Sequence, residues 1–139
     1  MNYGELTYKG TVYPWHCDHM NHMNVMWYIG KFDEATWAFF ANIGLSPTRL
    51  RESGRGMAAL EQKILYKREA HAGDTLEVFS HPIEIKAKTI RFLHTMVDCE
   101  SGEVSATVES VAVYLDTSAR KAVEFPDDIR QKAQALIIN

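Results

Sequence analysis

The stretch MWYIGKFDEATWAFFANIG, residues 26–44, decides the fold of this chain. Its apolar residues recur at spacings of three and four, which is the pattern of an α-helix, and they cover most of the helix circumference. Asn24 stands where a side-chain N-cap would, and Gly44 stands where a left-handed C-cap would. A helix with so wide an apolar surface is predicted to be buried on most of its sides.

Strand-like segments lie on both sides of this helix. One segment, residues 6–15, precedes it, and Pro14 is expected to close that strand. Turn signals, at residues 72–74 and 100–103, separate the segments that follow. A last helix is predicted to start near Pro126, followed by acidic residues that suit a first turn. The later strands are predicted at residues 57–68, 75–86, 89–99 and 104–116, with a short one near 122–125.

This order of elements predicts an α+β fold. One antiparallel sheet has to wrap around the single long helix, because both have apolar surfaces to bury, and a C-terminal helix is added. The sheet then keeps an edge or a face that needs a partner, which favours a homodimer. The chain has 139 residues and no internal repeat or linker, so residues 1–139 are predicted to form one domain.

Composition narrows the class of protein. The chain is 46% apolar and 24% charged, with a net charge of -3, so we expect no general attraction to nucleic acid or to an anionic membrane. No apolar run approaches the ~20 residues of a membrane span. The N-terminus lacks the basic and apolar regions of a signal peptide, and the cysteines are far apart. A cytoplasmic protein with reduced thiols is predicted.

The loop CDHMNHMN, residues 17–24, gathers polar side chains just before the long helix. It could be a metal site, a catalytic loop or a polar turn. His16, His19 and His22 are spaced by three, and imidazoles suit zinc, but the chain offers no second pair of ligands and no metal is expected. A carboxylate in such a loop can act as a base or a nucleophile, and the unpaired N–H groups of a helix start can polarise a carbonyl.

The loop and the segments around it resemble one known family. The pattern is Asp-x-x-x-His-x-Asn, followed by Tyr and Phe-Asp-Glu-Ala on the helix and by a Tyr…Gly-Asp segment. The chain resembles the hotdog-fold acyl-CoA thioesterases related to 4-hydroxybenzoyl-CoA thioesterase, and also plant acyl-ACP thioesterases. Two positions depart from the pattern: Val25 stands where the family often has a second Asn, and Pro14 stands where some members have Tyr. The matching residues are Asp18, His22, Asn24, Tyr28, 32–35, Tyr66 and 73–74.

The resemblance implies hydrolysis of an acyl-CoA thioester to a free acid and coenzyme A. Asp18 would be the general base or nucleophile, backbone amides at the helix start would form the oxyanion hole, and His22 and Asn24 would complete the catalytic set. No cofactor is implied beyond the coenzyme A of the substrate. We expect a dimer or tetramer, with substrate-binding roles for Tyr28, Arg55 and Glu61.

Other interpretations stay open at this point. A hotdog hydratase or dehydratase would pair His22 with Glu34 as acid and base on a thioester-linked acyl chain. A binding domain would hold acyl-CoA without chemistry. Each residue also has a structural interpretation, since Asp18 suits a turn, Asn24 a helix cap and Tyr28 a core.

Overall fold

The computed structural model describes residues 1–138, and its longest helix is α1, Val25–Asn42. The Met26 amide donates to the Asn24 side chain, which caps the helix as predicted. Gly44 follows the helix with φ of 97°, a conformation that favours glycine. The predicted helix is therefore confirmed, and its ends lie within two residues of the expected ones.

The strands form one antiparallel sheet around this helix. In chain order they are β1 (Glu5–Thr11), β2 (Arg55–Tyr66), β3 (Thr75–Ile85), β4 (Thr89–Asp98), β5 (Val104–Asp116) and β6 (Lys121–Ala122). Their order in space is β1-β3-β4-β5-β2, with β6 paired to the end of β5. Two further helices, α2 (Pro47–Ser53) and α3 (Asp127–Ala135), complete the α+β fold predicted from the sequence.

Two local predictions were wrong in detail, and one helix was missed. The first strand ends at Thr11, because residues 14–16 form a 3₁₀ turn in which Pro14 takes the first position, where a missing N–H costs nothing. Helix α2 was not predicted, although Ser46 caps it and Gly54 ends it with φ of 66°. The last strand covers residues 121–122 and not 122–125.

The core divides into two clusters along α1. The first half of the helix packs Tyr28, Phe32 and Ala35 against strand residues such as Val78 and Val108. The second half packs Phe39, Phe40 and Ile43 against β4, β5 and α3. Here the rings of Phe39 and Phe92 stack at a centroid distance of 4.9 Å. The two clusters hold the helix flat against the sheet along its whole length.

One side of α1 is not covered within the chain. Val25, Met26, Ile29 and Trp37 are all exposed, and Met26 keeps 61% of its surface. The prediction that the helix is buried on most sides was therefore wrong for a single chain, because the sheet curves around only one side of it. No helix in residues 1–138 is long and apolar enough to cross a membrane.

A chain of buried polar groups joins α1 to the sheet. His94 on β4 contacts the Thr36 hydroxyl through Nε2 at 2.8 Å and the Ser80 hydroxyl through Nδ1. Ser80 in turn contacts Thr7 on β1 at 2.7 Å. Burial lowers the pKa of His94 to about 3, so the imidazole is neutral and both nitrogens are used in hydrogen bonds.

Burial of His94 makes the stability of the fold depend on pH. The folded pKa lies below the ordinary value of 6.5, so the unfolded chain takes up this proton first and stability is lost as the pH falls from about 6.5 towards 3. We expect His94→Gln, in urea unfolding between pH 7 and pH 4, to show a weaker loss of stability than the wild type. A slope for His94→Gln equal to that of the wild type would contradict this role for His94.

Candidate active site

The loop of residues 17–24 is a closed turn held at its base. Cys17 and Met23 form an isolated bridge, and the Asp18 amide donates to the His22 carbonyl at 3.2 Å. Asn21 closes the turn in the left-handed region with φ of 64°, which Asn tolerates better than most residues. The backbone N–H of Asn24 donates to the His16 carbonyl at 2.9 Å, so the two ends of the loop are joined by a hydrogen bond.

Asp18 is an ionised carboxylate with both oxygens in use. Oδ2 accepts a hydrogen bond from the Asn24 side chain at 2.9 Å, and Oδ1 accepts one from the Met20 amide at 2.9 Å. Both hydrogen bonds lower the pKa of Asp18 below its ordinary value, and the bond from Asn24 has the larger effect. At neutral pH the group is therefore a carboxylate, which is the form that can take a proton or attack a carbonyl carbon.

Asn24 links this carboxylate to the start of α1. Its Oδ1 accepts from the Met26 amide at 2.9 Å while its Nδ2 donates to Asp18. The cap therefore occupies the Met26 N–H. Within the described part of the chain, the Val25 N–H has no hydrogen-bond acceptor, so it is the donor at the helix start that is free to bind an oxygen atom.

A cavity of about 320 Å³ opens beside this loop. His22 and Tyr28 line it together with Tyr66 and Glu69. The His22 Nε2 lies 3.8 Å from a Glu69 oxygen, and the Tyr28 hydroxyl donates to the Arg68 carbonyl at 3.3 Å. Burial raises the pKa of Tyr28, which keeps the phenol protonated. Two predicted site residues, His22 and Tyr28, therefore share a cavity, whereas Asp18 is not among the residues that line it.

Glu69 was not found by sequence reasoning. It lies more than forty residues after the loop, just beyond the end of β2 at Tyr66. That end of the strand lies near His22, which places Glu69 beside the imidazole. Its neighbour Arg68 is held by two acids, with Nη1 at 3.3 Å from Asp98 and Nε at 2.9 Å from Glu103. No short pattern in the sequence marks Glu69, because its position depends on the pairing of β2 with β5.

Three other predicted residues lie apart from this cavity in a single chain. Arg55 pairs with Asp116 at 2.9 Å at the far end of β2, roughly 35 Å of strand from Tyr66. Glu61 is exposed near the middle of the same strand. Glu34 lines a different groove, with Lys31, so the structure does not bring it to His22 within one chain.

The three histidines of the loop region do not converge. His16 is buried and its Nδ1 accepts from the Tyr13 amide at 3.0 Å, whereas His19 is exposed and His22 faces Glu69. Among residues 1–138, no group of three or more His, Cys, Asp or Glu side chains is placed to hold a metal ion.

An antiparallel sheet wrapped around one long helix is the hotdog fold. The chain belongs to the thioesterase-like superfamily, whose family model matches residues 12–133. The resemblance inferred from the sequence is therefore confirmed. The chain is also 30% identical, over 109 residues, to the L-carnitine dehydrogenase/betainyl-CoA thioesterase of Agrobacterium fabrum. That match covers 78% of this chain but only 22% of the length of the relative.

Solved structures show the same fold. A hypothetical protein from Staphylococcus aureus in complex with CoA matches 100% of this chain and 90% of its own, with a TM-score of 0.89 and 21% identity. A thioesterase from Thermus thermophilus, complexed with coenzyme A and Zn, matches 98% of this chain and 96% of its own. Its TM-score is 0.82, at 22% identity.

The double role of Asn24 predicts two separable effects of one substitution. Asn24→Ala should raise the pKa of Asp18, because its strongest hydrogen bond is lost, and should destabilise the fold by about 1 kcal/mol through loss of the cap. Carboxyl NMR titration and urea unfolding measure the two effects. Asn42→Ala, at the exposed end of the same helix, is the control. An unchanged Asp18 titration in Asn24→Ala would contradict the assignment.

Proposed function

We propose that this protein hydrolyses an acyl-CoA thioester to a free acid and coenzyme A. The observation that carries the proposal is the ionised Asp18, fixed by Asn24 beside the free Val25 amide. Hydrolysis of a thioester needs a base or nucleophile and a donor for the developing oxyanion, and these two groups supply both. Membership of the thioesterase-like superfamily supports the same reaction.

In the proposed mechanism Asp18 acts in one of two ways. It takes a proton from a water molecule that attacks the thioester carbonyl carbon, or it attacks that carbon itself and gives a mixed anhydride, which water then hydrolyses. The carbonyl oxygen gains charge and accepts a hydrogen bond from the Val25 amide, a contact typically worth about 3–4 kcal/mol. The C–S bond breaks, and the thiolate of coenzyme A leaves and takes up a proton.

His22 is placed for an orienting role in this scheme. It lines the cavity, and its Nε2 lies 3.8 Å from Glu69, close enough for a small movement to bring the two groups into contact. A water molecule or the thioester oxygen can bind between His22 and Asp18. The competing hydratase pair of His22 and Glu34 is not supported, because the two side chains line separate cavities.

We also propose that two copies associate through β2 and the open side of α1. Strand β2 ends the sheet, so its outer edge has unpaired backbone groups, and Leu60, Leu65 and Tyr66 are exposed on it. The exposed apolar side of α1 would be covered by the same contact. Antiparallel pairing of two β2 strands would bring the Arg55 end of one copy beside the Tyr66 end of the other. The predicted substrate contacts of Arg55 and Glu61 depend on this arrangement.

The acyl group is proposed to be small and cationic. A cavity of about 70 Å³ lies between α1 and the β2, β4 and β5 strands, and its lining includes the Asp33 carboxylate with Trp37, Phe40 and Phe92. Aromatic rings and a carboxylate attract quaternary ammonium groups. The Agrobacterium relative is named as a betainyl-CoA thioesterase, so betainyl-CoA is the first substrate to test.

The activity is tested by release of free thiol. Wild-type protein should release coenzyme A from at least one member of a panel of betainyl-, acetyl-, aromatic and medium-chain acyl-CoAs. Asp18→Asn should lower kcat/KM by at least 10²-fold, because the amide neither takes a proton nor attacks. The control Asp127→Asn, exposed on α3, should keep normal turnover. Near-normal turnover of Asp18→Asn would exclude Asp18 as base and nucleophile, and no thiol from any substrate would contradict the activity.

The pH profile tests whether the base is a carboxylate. Because the pKa of Asp18 is lowered, kcat/KM should stay constant as the pH falls from 7 to 5 and should decline only below about pH 4. A histidine base would place the decline near the ordinary imidazole pKa of about 6.5. Stopped assays after brief exposure to each pH separate this effect from the unfolding caused by His94.

The proposed dimer is tested by a charge at its centre. Leu60→Lys, on the exposed part of β2, should shift sedimentation velocity from dimer to monomer at micromolar concentration. Gln131→Lys, exposed on α3, is the control and should leave the wild-type sedimentation coefficient unchanged. A wild-type monomer would contradict the dimer, and so would a Leu60→Lys dimer of normal affinity.

A further inference from the structure

A second groove lies between α1 and β1, and the site described above does not use it. We call it the Lys31 groove; it has a volume of about 660 Å³ and is lined by Tyr8, Trp15, Trp27, Gly30, Lys31 and Glu34, with smaller contributions from their neighbours. This volume lies within the range of small-molecule sites. Four features of the groove point to the same kind of ligand.

The first feature is a buried ammonium group. Lys31 is only 4% exposed, and its Nζ donates to the Tyr8 hydroxyl at 2.7 Å. No carboxylate of residues 1–138 lies within 4.0 Å of that nitrogen. A buried charge is normally paired, so the open groove beside Lys31 is where an anion would complete the pair.

The second feature is a pair of glycines. A Cβ on Gly10 would lie 2.2 Å from the Tyr8 hydroxyl, so glycine is needed there for Tyr8 to reach Lys31. Gly30 differs, because a Cβ at that position would meet nothing within 4 Å. Glycine destabilises the interior of a helix relative to alanine, and no packing contact explains it at this position. A side chain at this position would project into the groove, so glycine leaves that space open for a ligand.

The third feature is the flat aromatic wall. Tyr13 and Trp15 stack at a centroid distance of 4.6 Å and an interplanar angle of 7°, and Trp15 remains 67% exposed. Trp27 on α1 packs against His16 at 4.5 Å. The pKa of His16 is lowered, first by burial and then by the charge of Lys31, so this imidazole stays neutral. The wall offers a planar surface on which a ring can stack.

The fourth feature is the connection to the catalytic loop. Trp15 and His16 directly precede the loop, and the His16 carbonyl accepts a hydrogen bond from the backbone N–H of Asn24. Lys31 follows Val25 by six residues, which is about 9 Å along the helix. A ligand that starts at Asp18 can therefore extend into the Lys31 groove without leaving the surface of α1.

We propose that the Lys31 groove binds a purine nucleotide, with a phosphate at Lys31 and the base stacked on Trp15. Glu34, on the next turn of the helix, would accept a hydrogen bond from a ribose hydroxyl, a role that carboxylates have in nucleotide sites. The nucleotide is either the adenine end of coenzyme A, an interpretation that rests on the proposed thioesterase function, or a free nucleotide that binds independently of the reaction.

Binding is measured without any enzyme activity. Trp15 and Trp27 are two of the three tryptophans, so adenosine 3′,5′-bisphosphate should change the intrinsic fluorescence of the wild type. Lys31→Met and Gly30→Leu should weaken binding at least tenfold, and Lys88→Met, an exposed lysine outside the groove, should not. Gly30→Ala should raise the Tm by roughly 2–5 °C and still weaken binding, which separates loss of the groove from loss of the fold.

A second measurement identifies the source of the nucleotide. Lys31→Met should raise KM at least tenfold for an acyl-CoA and leave KM unchanged for the matching acyl-pantetheine, which lacks the nucleotide. That result assigns the groove to the coenzyme A of the substrate. Lost nucleotide binding, with KM unaltered for both substrates, assigns it to a free nucleotide. If no thioester is hydrolysed at all, the fluorescence titration still tests the groove.

Two results would overturn the proposal. The first is wild-type fluorescence that does not respond to millimolar adenosine 3′,5′-bisphosphate, coenzyme A or AMP. The second is a nucleotide response that Lys31→Met and Gly30→Leu leave at wild-type affinity, which would place the binding outside the groove.

Discussion

Helix α1 has apolar side chains on two sides, and the single sheet covers only one of them. This constraint shapes the rest of the molecule. Phe32, Phe39 and their neighbours face the curved sheet and form both core clusters, whereas Met26, Ile29 and Trp37 remain exposed. The edge strand β2 adds a second exposed apolar surface. A single chain therefore has a well-packed core but keeps exposed apolar surface on α1 and β2. This exposed apolar surface is the physical basis for the proposed dimer.

The site follows from the need to begin this helix. A helix start leaves N–H groups without partners, and Asn24 satisfies one of them at Met26. The remaining side-chain amide of Asn24 then fixes Asp18, so capping the helix and holding the carboxylate are done by one residue. The same geometry leaves the Val25 amide free. The structure confirms that Asn24 caps the helix, and its hydrogen bond to Asp18 is compatible with the proposed role in the site.

Elements with long periodic patterns could be predicted from the sequence, and those set by distant contacts could not. The pattern of α1 is repeated over five turns, and Val104–Asp116 is a long segment rich in Val and Thr. Helix α2 has only seven residues, too few for a periodic signal, although Ser46-Pro47 and Gly54 mark its ends. Of the candidate site, Asp18, His22 and Asn24 are local and were found. Glu69 reaches His22 only through strand pairing, and Arg55 lies at the far end of β2, so neither position could be worked out from spacing.

The buried contacts of His94 have a further consequence. In one arrangement the Thr36 hydroxyl donates to the Phe32 carbonyl and accepts from His94 Nε2. Ser80 then donates to His94 Nδ1, and Thr7 donates to Ser80. The three bonds that join Thr36, His94, Ser80 and Thr7 can also all run in the other direction, and Thr7 then donates to the Val78 carbonyl. Both arrangements satisfy every donor, and they differ in the tautomer of His94 and in the directions of the hydroxyl protons. The heavy-atom positions of this joint between helix and sheet are thus compatible with two proton arrangements, so the hydrogen-bond partners of His94 do not fix its tautomer.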